Sequence, residues 1–115
     1  MEIVDILSVQ IQPDLLGHFS EQSVKELCSS LSKAPEVEAW AVQRGVDNGR
    51  YINVNFSTHL PVRLWKLIRA EIFRLGLQRA SIVTCTKDGN WDNYSLLYHF
   101  DRSQQKKESK KKGSE

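Results

Sequence analysis

The sequence has little of what small proteins use to staple themselves or to build reactive sites. Two cysteines occur, Cys28 and Cys85, 57 positions apart, which matches neither a disulfide framework nor a zinc-ligand spacing. Two reduced thiols in a cytoplasmic protein are the expectation. The three histidines, His18, His59 and His99, are scattered, and none forms the i, i+4 pair that holds a metal on one helix face. No metal site is expected. The six glycines form no Gly-x-Gly-x-x-Gly and no Gly-Lys-Ser/Thr loop, so nothing cradles a phosphate and no cofactor is expected. The apolar runs are short, such as Ile6-Leu7 and Leu96-Leu97-Tyr98, far below the roughly 18 residues of a membrane span. Met1-Glu2 opens directly into strand-like sequence, without the basic and apolar regions of a secretory leader, and none is expected.

The chain of 115 residues carries a formal charge of +2. That charge is unevenly placed. Residues 103–115 hold five lysines and two glutamates, a balance of +3, while residues 1–102 hold eleven basic and twelve acidic residues, a balance of −1. The last thirteen residues contain no apolar side chain and cannot offset their ordering entropy by burial, so a disordered tail is expected. Such a tail either solubilises the chain or acts as a basic arm toward phosphates. Residues 1–102 fit a single domain, and a chain of this length buries about two-thirds of its unfolded surface without staples.

Local patterns give an order of elements. Leu7, Val9 and Ile11 alternate with Ser8 and Gln10, a period-2 strand closed by Pro13. Ser20 suits the cap of a helix from Glu21, whose Val24, Leu27, Cys28 and Leu31 recur at helical spacing until Pro35. Residues 15–19 read equally as a turn or a packed loop. Strands are expected over 37–42 and 51–56, joined through Asp47-Asn48-Gly49, where Asn-Gly supplies the positive φ angles of a tight hairpin. Thr58 is the expected cap of a second helix, with Pro61 in its first turn, Gly76 at its end and an apolar face of Leu64, Leu67, Ile68, Ile72 and Leu75. A last strand pair is expected over 80–86 and 94–100. In the second of these, Tyr94, Leu96, Tyr98 and Phe100 should face one way and Ser95, Leu97 and His99 the other.

The resulting order, β-α-β-β-α-β-β, predicts an α+β two-layer sandwich with both helices on one face of an antiparallel or mixed sheet. Its first four strands and two helices resemble the ferredoxin-like, or split βαβ, arrangement. That resemblance implies architecture alone, because the arrangement hosts many unrelated functions.

No catalytic set stands out, and an enzyme is not expected. Asp88 and Asp92, with His99 near the same edge, would serve acid–base chemistry only around a common pocket; a solvated hairpin tip is the plainer reading. Two surfaces remain. Arg63, Lys66 and Arg74 form a basic stripe on the second helix, with Glu71 available for local pairing. With the lysine tail, that stripe is the candidate contact for RNA or single-stranded nucleic acid. The outer sheet face is the other. Were Tyr51, Asn53, Asn55 and Trp40 to share it, they would form a platform for bases or for a protein, although the aromatic signature of the RNA-recognition module is absent. The leading expectation is a small protein-binding module acting by occlusion, as an inhibitor, immunity-type protein or adaptor. Its contact residues are expected to be Trp40, Tyr51, Trp91 and Asp92, and a homodimer through the open face is a further possibility.

Overall fold

The structure is a computed structural model that describes residues 4–89 and 94–100. One five-stranded sheet runs through it: β1 (Asp5–Ile11), β2 (Ala39–Val46), β3 (Arg50–Thr58), β4 (Ser81–Thr86) and β5 (Tyr94–His99). The order across the sheet is β2-β3-β1-β4-β5, and every neighbouring pair is antiparallel. Helices α1 (Glu21–Ser32) and α2 (Pro61–Arg74) connect β1 to β2 and β3 to β4. Their buried residues join Leu7, Val9, Ile11, Ile52, Val54, Phe56, Val83 and Cys85 in one core. The molecule is therefore α+β, with the helices layered on one sheet face.

Each element follows from its residues, with four departures from expectation. Helix α1 begins as predicted: Ser20 is extended, and its hydroxyl accepts the Gln22 N–H at 3.1 Å, satisfying one of the first turn's unpaired donors. Residues 15–19 prove to be both alternatives in sequence. A 3-10 turn over Pro13–Leu15 leads into a loop whose Leu16 and Phe19 pack on the core.

The hairpin strands are longer than the apolar alternation suggests. Val37 lies before β2 in a turn, donating to the Ala34 carbonyl at 3.1 Å, while β2 runs on to Val46 through Gln43, Arg44 and Gly45, which pair with Asn53, Ile52 and Tyr51. Cross-strand pairing extends the strand where propensity alone would stop it. Asn48 (φ 57°) and Gly49 (φ 118°) take the positive angles that the turn requires.

Thr58 does not cap α2. It is the last residue of β3, fully buried, and its hydroxyl accepts the Leu60 N–H at 2.8 Å. The cap position falls to Leu60, followed by Pro61 at the start of the helix, where a missing N–H costs nothing. The far end is as expected. Gly76 adopts φ +72°, and the Leu77 and Gly76 N–H groups donate to the Ile72 and Phe73 carbonyls at 2.9 and 3.3 Å, a Schellman closure. The helix buries Leu64, Ile68 and Ile72, whereas Leu67 is 37% exposed, because i, i+4, i+8 spacing keeps only the first three on one line.

The parity expected along β5 breaks at a bulge. Thr84 faces Leu96, but Val83 faces Tyr98, so Leu97 is the extra residue and the alternation inverts beyond it. Tyr98 thereby turns to the helix side, donating to the Gln78 carbonyl at 2.6 Å and packing against Trp65 and Phe73.

Candidate interaction surfaces

The register divides the strand residues into two faces. Those paired in line with Leu7, Val54 and Val83 point at the helices; the remainder form a second face that no helix covers among the described residues. This open face carries Ile6, Ser8 and Gln10 from β1, with Tyr51, Asn53, Asn55 and Ser57 from β3. Ala39, Ala41, Gln43 and Gly45 extend it on β2, and Ile82, Thr84, Thr86, Tyr94, Leu96 and His99 extend it on β4 and β5. Its described strand residues include no Asp, Glu, Lys or Arg. The charged strand residues, Asp5, Arg44 and Arg50, all carry the helix-side parity.

The open face is partly self-paired. The Ser8 hydroxyl donates to Asn55 Oδ1 at 2.6 Å. Tyr51 lies over Gly45 so closely that a methyl there would overlap its ring and hydroxyl. Asn53 Oδ1 and Thr86 Oγ1 are shielded from water without a hydrogen-bond partner, a state that costs roughly 1–3 kcal/mol for each group.

Trp40 does not share this face. It pairs with the buried Phe56 and therefore points to the helix side, which removes the expected platform of Trp, Tyr and Asn. It stays 45% exposed, and Val42 37%, on the edge strand β2, where an open groove separates them from α1. Between them runs a groove of about 600 Å³ lined by Val24, Lys25, Cys28, Trp40, Val42 and Arg44. Arg44 crosses it to Glu21 at 2.9 Å. Trp91 and Asp92 lie outside the described residues.

At the hairpin end of the open face is a smaller polar cleft of about 330 Å³, bordered by Gln10, Gln12, Asp14, Asp47, Tyr51 and Asn53. Asp14 closes it. Its carboxylate accepts the Arg50 backbone N–H and guanidinium, each at 3.0 Å. The backbone hydrogen bond first, then the guanidinium, hold its pKa below the ordinary value of 3.8. The residues stand 36 positions apart, so no local pattern announces the pair.

The basic stripe on α2 is only partly available. Arg74 is held by Glu71 at 2.7 Å and Glu26 at 3.8 Å, while Arg63 and Lys66 are exposed and make no ion pair among the described residues. Both cysteines are free and buried. Burial pushes both thiols up, opposed by Arg44 at Cys28 and reinforced by Asp5 at Cys85, so they stay protonated at neutral pH. Asp88 is exposed, with its backbone N–H donated to Asp5. His18 is in the loop before α1, His59 reaches Glu38 at 3.9 Å, and His99 stacks on Phe100. Among the described residues, no three His, Cys, Asp or Glu side chains gather as a metal site, and no helix is long and apolar enough to cross a membrane.

Comparison with protein-family models, with curated proteins and with solved structures finds no match.

Proposed function

We propose that this chain is a protein-binding module that acts by occlusion, covering a partner's flat, uncharged surface with its open sheet face. The observation that carries this reading is the absence of Asp, Glu, Lys and Arg from the strand residues of that face. Interface cores are depleted in charge and enriched in aromatic side chains, and this face offers Tyr51 and Tyr94 among amides and hydroxyls. Nucleic acid is served less well, because phosphates require Lys or Arg and Arg74 is already engaged by two carboxylates. Two free, buried cysteines suit a reducing compartment such as the cytoplasm. We read the strand order, with β1 between β3 and β4, as the ferredoxin-like arrangement extended by β5.

The test is capture from nuclease-treated native lysate with the full chain and with Gln10→Arg and Thr84→Arg, which place cations on two strands of the open face. The reading predicts a stoichiometric protein recovered by the wild type and lost by both variants. Capture that nuclease abolishes, or that Arg63→Ala and Lys66→Ala remove while the face variants retain it, would transfer the function to nucleic acid and the α2 stripe.

A further inference from the structure

The sheet has two edges, and they are not alike. At the β5 edge the bulge opposite Val83 and Thr84 interrupts the ladder, a common device for spoiling an edge. The β2 edge has no such device. Its eight residues, AWAVQRGV, contain neither proline nor lysine, and they pair without interruption with β3. An antiparallel ladder on one side leaves every second N–H and C=O of β2 directed away from the sheet. On the helix side the same edge exposes Trp40 and Val42 beside the groove under α1.

We propose that the β2 edge is the contact between two copies of this chain, paired antiparallel about a two-fold axis at Val42 to give a continuous ten-stranded sheet. Charge selects the register. With Val42 opposite its own copy, Trp40 faces Arg44 of the second copy, and the two arginines lie about 13 Å apart along the strands. Glu21 already holds the Arg44 guanidinium on the helix side, where Trp40 also points, so the pairing sets a cation against an indole face. Shifting the axis to Gln43 would bring the two arginines onto neighbouring positions of one face, which like-charge repulsion disfavours. The two α1 helices then flank one groove that buries Trp40 and Val42 from both copies. The seven β2 residues that overlap give a contact strip about 24 Å long and one groove wide, at the lower end of the areas that support specific association. A micromolar dimer is the expected strength. The open faces remain free, so this contact is independent of the occlusion surface.

Sedimentation equilibrium of the full chain from about 5 to 500 µM tests the proposal. It should show a reversible shift from 13.2 kDa toward twice that mass. Val42→Lys, which sets two cations against each other at the axis of an exposed edge, should weaken the dimer at least tenfold with an unchanged circular dichroism spectrum. Val42→Cys should form an intermolecular disulfide under mild oxidation, and Ala39→Cys should not. Gln10→Arg and Thr84→Arg, two and three strands away, should leave the dimer intact. A monomer throughout the range, or a dimer indifferent to Val42→Lys, would overturn the proposal. So would a pure chain that stays monomeric while Val42→Lys abolishes capture of a different protein, which would assign the edge to that partner.

Discussion

Single residues set the borders of the open face. Tyr51 lies over Gly45 because glycine leaves the room that a Cβ would occupy. Gly45→Ala should displace the ring at a cost of about 1 kcal/mol, read as a lower urea midpoint with an unchanged m-value. Asp14 and Glu71 give the fold an acid limb. Their pKa values are lowered, Asp14 first by the backbone hydrogen bond from Arg50 and Glu71 first by the side-chain hydrogen bond from Arg74. A carboxylate with a depressed folded pKa stabilises above its unfolded value, and that contribution is lost as pH falls through the folded one. Thermal stability should therefore be flat from neutrality down to about pH 5 and fall below the ordinary values of 3.8 and 4.5. Asp14→Asn should make that acid limb shallower and speed exchange of the Arg50 amide; an identical acid limb would mean that Asp14 contributes nothing to it. Neither the Asp14–Arg50 pair nor the Tyr51–Gly45 contact is legible in the sequence, since each depends on a register between distant residues.

At the scale of elements, legibility follows how local the cause is. The start of α1, the glycine end of α2 and the positive φ angles at Asn48 and Gly49 were readable because each is decided within a few residues. The misplaced cap shows the contrast. Ser20 and Thr58 look alike in sequence, yet Ser20 leads directly into a helix while Thr58 is drawn into β3 by pairing with Asp5. The two hydroxyls should respond differently to removal. Ser20→Ala should cost about 1 kcal/mol, with the loss confined to amide protection in the first turn of α1. Thr58→Val keeps the buried shape but deletes the acceptor of the Leu60 N–H, and should cost a similar amount while slackening the entry to α2. The bulge in β5 was unreadable for the same reason as the longer hairpin: a ladder partner, not the strand's own alternation, decides it.

For the whole molecule, the sequence revealed the layers but not the faces. Alternation identified Leu7, Val9, Ile52, Val54 and Phe56 as core, yet it could not say on which side Trp40 falls, because Trp40 and Val42 share their parity with each other and with nothing else in β2 that is fully buried. The pairing with Phe56 and Val54 decides it, separating Trp40 from Tyr51 and turning one imagined platform into two surfaces. One is a sheet face whose described strand residues include no Asp, Glu, Lys or Arg, the other an edge exposing Trp40 and Val42 beside α1. The first of these is the surface proposed to hold a protein partner. The most direct test is the dissociation constant of the purified complex for the wild type and Thr84→Arg, with Arg63→Ala as the off-face comparison. A desolvated cation in the middle of the contact predicts at least hundredfold weaker binding for Thr84→Arg, while Arg63→Ala stays within a factor of three. Equal affinities for the wild type and Thr84→Arg would contradict the claim.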